Sequence, residues 1–168
     1  MWNRKMAVYG MMLTIAFVSQ IIFTIFFYDP SDNALRINIG WGVLWLSAVF
    51  GWLPIITFRR KGKVKGRSYI HTTVLVDSGI YAIVRHPQYL AGILLNAGLV
   101  LITPHWLVVI LGLIAAAMTI LDTFNEEQQT IEKFGDAYRE YMQKVPRLNF
   151  VLGIFRAIQR KSLNDRFQ

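Results

Sequence analysis

The chain contains no cysteine. That excludes disulfides, thiolate metal sites and thiol nucleophiles, and it leaves the redox compartment open. Nor does it contain a glycine-rich strand–helix turn for a dinucleotide, an internal repeat or a low-complexity tract. Acidic residues are scarce, 10 against 18 Lys and Arg, for a formal charge of +8. What fills the 168 residues instead is apolar: 54% by count, with a mean hydropathy of +0.38. A soluble domain of this size needs a largely polar surface and falls short of such values. In a soluble chain the basic excess would suggest nucleic acid. Beside long apolar runs it suggests anionic lipid headgroups and cytosolic loops, which carry the positive charge of membrane proteins.

A hydrocarbon core about 30 Å thick requires about 20 apolar residues in a helix. Four runs approach or meet that requirement, at about 6–28, 37–58, 88–103 and 105–124. The first is longer than a signal-peptide core and stops at Tyr28-Asp29-Pro30, as a retained span does. The second lies between Arg36 and Arg59 and tolerates Pro54 near its end. The third is short and borrows its first turn from Pro87 and Gln88. Only Thr103-Pro104-His105 separates it from the fourth, so the two form an antiparallel hairpin. Ala91-Gly92 and Ala115-Ala116-Ala117 allow close helix approach there. No span carries a charge near its centre, which argues against a transporter.

Basic residues set the orientation. Arg4 and Lys5 precede the first span, and Arg59, Arg60, Lys61, Lys63, Lys65, Arg67 and Arg85 lie between the second and third. Lys133, Arg139, Lys144, Arg147, Arg156, Arg160, Lys161 and Arg166 follow the fourth; only Arg36 falls on the other side. Both termini are expected in the cytosol. The run from Arg59 to Arg67 reads as a topology signal facing lipid. Beyond the fourth span, Ile131, Phe134, Tyr138, Tyr141 and Met142 recur at helical spacing among charges. Phe150, Val151, Ile154, Phe155 and Ile158 then face one way, with Arg156, Arg160 and Lys161 elsewhere, a pattern that suits the membrane surface. Asn164 to Gln168 read as frayed. The expected architecture is an all-α integral membrane protein, one domain over 1–168. It has four transmembrane helices and a cytosolic amphipathic C-terminal segment.

Ionisable groups at a membrane edge are functional candidates by default. Two clusters qualify: Val76 through Tyr81 continuing to Arg85-His86-Pro87-Gln88-Tyr89, and Glu126-Glu127 at the end of the fourth span. A hairpin of similar arms brings His86 and Glu126 to similar depth. A carboxylate pair then faces an arginine and a histidine across a short gap, which suits a zwitterionic ligand. Each piece also has a plain reading. Arg85 alone is a snorkelling arginine, His86-Pro87 a helix start, and Glu126-Glu127 a solvated helix start that suits the dipole. The tyrosines and tryptophans alone form an aromatic belt. Asp122 divides evenly between a helix contact and a ligand contact. His71 and His105 have no partner at metal-ligand spacing, and no metal is expected.

Taken together, Gly79-Ile80-Tyr81, Arg85-His86-Pro87-Gln88-Tyr89, a hydrophobic hairpin and Glu126-Glu127 resemble a known family. So do Phe134-Gly135, Tyr138, Tyr141 and Val145-Pro146-Arg147, which follow in order. The family is that of the membrane-embedded isoprenylcysteine carboxyl methyltransferases, with the phospholipid N-methyltransferases as close relatives. The resemblance covers about Leu75 to Leu148. It implies an S-adenosylmethionine-dependent methyltransferase that lacks a Rossmann domain and acts on a lipophilic or membrane-partitioned acceptor. Membrane lipids are then its partners, and nucleic acid is not. It implies that His86, Tyr89, Glu126 and Glu127 contact the cofactor and that Leu75, Val76, Gly79 and Tyr81 line its adenosine part. Arg85 would be catalytic, orienting an acceptor or cofactor carboxylate through its planar fork. The membrane would be the cell membrane in a prokaryote and the endoplasmic reticulum in a eukaryote. The rivals are a sterol-reductase-like oxidoreductase, which a carboxylate pair disfavours because it repels a dinucleotide phosphate, and a small transporter or scaffold.

Overall fold

The structure is a computed structural model that describes residues 4–61 and 74–166. Lys63, Lys65, Arg67, His71, Phe167 and Gln168 lie outside the described residues, as do the side chains of Arg4, Lys5, Lys61 and Arg166. The described residues form six α-helices in order: α1 (Arg4–Phe26), α2 (Ala34–Lys61), α3 (Pro87–Ile102), α4 (Trp106–Phe134), α5 (Asp136–Lys144) and α6 (Phe150–Arg166). A short 3-10 turn, Gly79–Ala82, precedes α3. Among the described residues there is no strand.

Among the described residues, three helices are long and apolar enough to cross a membrane, over Val8–Phe26, Ala34–Arg60 and Trp106–Phe134. α3 has only 16 residues, about 24 Å of rise, against the roughly 30 Å of a hydrocarbon core. Of the four expected spans, three therefore meet the length criterion and the third in sequence does not. Large apolar side chains stand on the outside of the long helices, with Ile25, Trp45 and Leu113 more than 60% exposed. Water penalises that much exposed apolar surface, and lipid does not.

The tail departs from its expected division. α4 continues unbroken past Glu126 and Glu127 to Phe134, so Ile131 and Phe134 belong to it. Tyr138, Tyr141 and Met142 lie on α5. The break falls at Gly135, whose φ of 57° is a left-handed conformation that a side chain would strain. α6 remains helical to Arg166, beyond the point where fraying was expected.

The chain divides into two compact units, Met1–Val49 with Ala91–Asp122 and Phe50–Leu90 with Thr123–Gln168. The first unit packs through small residues. A Cβ on Gly40 would lie 2.7 Å from Ile102 Cγ1 and 3.1 Å from the Gly98 carbonyl oxygen, so α2 and α3 approach almost backbone to backbone. Gly92 is similarly close to Phe17, at 3.2 Å. Its buried polar residues, Gln20, Thr24, Ser47, Asn96, Thr103 and Thr119, are all uncharged. The Gln20 amide donates to the carbonyls of Asn96 and Val108, both at 3.3 Å. Ser47 donates to the Ala91 carbonyl at 2.8 Å. In an apolar surrounding such bonds join helices without the cost of burying charge.

The second unit has a core of Tyr138, Tyr141 and Val145, with Leu75, Ile131, Phe134 and Met142 packed against it. It also buries charge, and that is where the chemistry concentrates.

Candidate active site

The loop before α3 is positioned by backbone contacts from far along the chain. Arg85 and His86 donate their N–H groups to the carbonyls of Pro146 and Arg147, at 3.0 and 3.1 Å. The His86 carbonyl accepts from Leu90 N–H at 3.0 Å, so Pro87 opens α3 at the one position where a missing N–H costs nothing. Just upstream, the Tyr141 hydroxyl donates to the Tyr81 carbonyl at 2.6 Å, and Arg160 donates to the Ala82 carbonyl at 2.7 Å. Gly79 begins this turn with a φ of 66°, and a Cβ there would lie 3.1 Å from Thr57. Only glycine satisfies both conditions cheaply.

At the centre is Glu127, whose side chain is 3% exposed. Its Oε1 lies 3.2 Å from Arg85 Nη2 and 3.2 Å from His86 Nε2. Its Oε2 accepts from Arg147 Nη2. The Arg147 guanidinium also lies over the Phe124 ring, 3.7 Å from its centroid, a cation–π contact that orients the fork. Both carboxylate oxygens are thus occupied. Glu126, one residue earlier, is half exposed, with Oε2 3.7 Å from His86 Nδ1. Burial by itself would lower the His86 pKa, but hydrogen bonding and the negative charge of Glu126 and Glu127 outweigh it and hold the imidazole above its ordinary value. The protonated imidazole can donate to a carboxylate on either side. Burial raises the pKa values of Tyr81, Tyr138 and Tyr141, keeping these phenols protonated.

Beside this network is a cleft of about 360 Å³, within the size range of small-molecule sites. Ile55 and Phe58 of α2 line it, with Tyr81, Arg85, His86, Pro87, Gln88, Tyr89 and Glu126. The Phe58 and Tyr81 rings meet edge to face at 4.8 Å, as do His86 and Tyr89 at 5.5 Å. Arg85 spends only Nη2 on Glu127. Its Nε and Nη1 are buried without a partner, and its side chain is 8% exposed. Two orphaned cationic donors at a cleft wall are costly unless an anion completes them.

Of the nine residues the sequence singles out, Tyr81, Arg85, His86, Tyr89 and Glu126 line the cleft together. Glu127 stands behind them, tied to Arg85 and His86. Leu75 packs on the tyrosine core, Val76 is buried, and Gly79 abuts Thr57. These last three are not part of the cleft lining. Nothing in the sequence marks Arg147, Ile55 or Phe58 for a role. Arg147 stands in Val145-Pro146-Arg147 but has no acid at helical spacing beside it. Ile55 and Phe58 look like any apolar span residues. Among the described residues, no group of three or more His, Asp or Glu is placed to hold a metal ion.

A family model for phospholipid methyltransferases matches residues 35–137, well over half of the chain. The chain belongs to the phospholipid methyltransferase family. It is a membrane methyltransferase, and the match takes in both Arg85-His86 and Glu126-Glu127. No curated protein and no solved structure matches it significantly. Arg147 lies beyond the matched stretch, although it completes the pairing of Glu127 in this methyltransferase.

Proposed function

We propose that this methyltransferase takes its methyl group from S-adenosylmethionine and delivers it to a lipophilic or membrane-partitioned acceptor, as isoprenylcysteine and phospholipid methyltransferases do. One observation carries the reading: Arg85, which keeps two buried donors unpartnered, and the half-exposed Glu126 both line the same cleft. A zwitterionic ligand needs both signs of charge at close quarters. The donor set therefore fits S-adenosylmethionine, which when bound supplies a methyl group on a positively charged sulfonium.

The chain's own residues then divide the work. Arg85 offers a carboxylate one face of its guanidinium, Nε or Nη1 together with the Nη2 between them, a geometry that a fork matches and an ammonium does not. Glu126 attracts the cationic part. Phe58, Tyr81 and Tyr89 offer aromatic surface to the adenosine. Leu75, Val76 and Gly79 support the turn from behind. Glu127 acts through Arg85 and His86, holding both in place. An apolar cleft with fixed dipoles favours transfer by alignment and by excluding water. A carboxylate or thiolate acceptor needs no general base. His86 stands between two carboxylates that favour its protonated form and is poorly suited to serve as one, so an amine acceptor must arrive deprotonated.

The same reading places both termini and the cleft on the cytosolic side, with α3 completing a fourth span through Thr103–His105. Glu126 lies twenty residues beyond Trp106, about 30 Å along α4, the thickness of a hydrocarbon core. The test is to supply methyl-labelled S-adenosylmethionine to membranes containing the protein, and to titrate the purified protein with the same compound. Saturable binding, weakened by Glu126→Gln, and label in a lipid-extractable product are expected. Absence of binding, or binding of a nicotinamide dinucleotide instead, overturns the reading.

A further inference from the structure

α6 presents two dissimilar sides. Val151, Ile154, Phe155 and Ile158 form one stripe, spaced three and four apart, and each is between 43% and 65% exposed. The other side is engaged. Gly153 lies against the Ile83 carbonyl so closely that no Cβ would fit. Arg160 donates to the Ala82 and Lys144 carbonyls at 2.7 and 2.5 Å, and Arg156 reaches the Gln143 carbonyl at 3.5 Å. No acidic residue stands between Arg156 and Lys161, and Lys161 is exposed.

Depth decides what covers the apolar stripe. Phe150, the first residue of α6, meets Phe50 of α2 with ring centroids 5.3 Å apart. Phe50 precedes Arg59 by nine residues, about 13 Å of helix rise. The contact therefore falls well inside the uncharged stretch of α2 that runs from Ile37 to Phe58. A helix that begins at that depth cannot have its whole exposed face in water if α2 spans the bilayer. On the same α2, Trp52 and Ile56 are exposed apolar residues needing the same cover. Interfacial helices bury an apolar face about 5–10 Å into the headgroup boundary and gain from basic residues near anionic lipid.

We infer that α6 is embedded in the interface of an anionic phospholipid bilayer, with Val151, Ile154, Phe155 and Ile158 in the acyl layer. From there it braces the turn that leads to Arg85. The stripe is the membrane contact, and the Gly153–Ile83 and Arg160–Ala82 contacts carry the brace. This depends on α2 spanning the membrane and not on the identity of the methyl donor.

The cysteine-free chain makes the test direct. Single cysteines at Val151, Phe155, Ile158 and, as control, the exposed Gln159 would be spin-labelled in full-length protein. The labelled protein is placed in nanodiscs of phosphatidylcholine with or without phosphatidylglycerol. Labels at 151, 155 and 158 should collide severalfold more with oxygen than with a water-soluble nickel chelate, most clearly with the anionic lipid, and 159 should show the reverse. Equal access of the chelate to all four positions overturns the membrane contact. So does spin–spin broadening between protomers, which would mean that a second copy covers the stripe. In the same nanodiscs, Phe155→Glu with Ile158→Glu should speed amide exchange at Arg85 and His86 severalfold. Unchanged exchange would remove the brace while leaving any binding of S-adenosylmethionine to be judged on its own titration.

Discussion

The two units bury polar groups by opposite rules. In the first, every buried polar side chain among the described residues is neutral, and several bond to backbone carbonyls that helix hydrogen bonds already satisfy. In the second, a carboxylate, a histidine and an arginine share one buried network, and a second arginine closes it. Neutral amides and hydroxyls knit helices at little cost and tolerate change. Buried charge is costly unless each member is matched, and breaking one pair strands the others. The first unit is built to sit in an apolar solvent. The second spends stability on holding charged groups at a cleft.

The sharpest way to break that contrast is Glu127→Gln. It leaves Arg85 and Arg147 without their shared anion, a change that costs about 3–5 kcal/mol when a buried pair loses one partner. The thermal midpoint in detergent should fall steeply, and binding of S-adenosylmethionine should weaken by about tenfold or more. Unchanged values would show the network to be idle. Arg85→Lys comes next. It retains the charge facing Glu127 but loses the fork, so turnover and donor affinity should drop more than the melting temperature does; equal losses would return Arg85 to a structural role.

A smaller effect follows from His86, whose pKa is raised in the folded protein. The unfolded imidazole titrates near its ordinary value of about 6.5. The stability it contributes is therefore full below that pH and is lost as pH rises through the higher folded value. A melting series from mildly acidic to alkaline pH should decline across that window and flatten in His86→Asn. The least effect belongs to the first unit. Asn96 is buried with neither end of its amide partnered. Asn96→Leu should raise stability by about 1 kcal/mol or leave it unchanged, with donor binding unaltered. A large loss, read from the same melting assay, would mean that the neutral unit too depends on a specific polar contact.

Much of this was legible in the sequence because it is written locally. Hydrophobic runs bounded by Arg36, Arg59 and Pro104 mark the long helices. Arg85-His86-Pro87 sits at a helix start because proline belongs there. The hairpin brought Glu126 and Glu127 to Arg85 and His86, since α3 and α4 share a three-residue connection. Other features depend on encounters that no spacing encodes. The partition of the two glutamates, one half exposed and one saturated, follows from where Arg147 arrives from twenty residues away. The contribution of Ile55 and Phe58 needs α2 to pass the cleft, and lipid-facing and cleft-facing apolar residues look alike in a sequence. Gly135 was visible in the motif, but whether it bends or breaks a helix depends on its φ. The close approach at Gly40 and Gly98 lay in two helices whose pairing the pattern did not specify.

The bonds from Arg85 and His86 to Pro146 and Arg147 also bear on synthesis. A ribosome finishes the last long apolar helix, at Phe134, before it reaches those carbonyls, and its exit tunnel releases the two in the same order. The helices can therefore enter the bilayer while the Arg85 loop still lacks the segment that fastens it. Insertion and acquisition of the cleft are separate events in time, and a chain interrupted between them would be anchored but without a site.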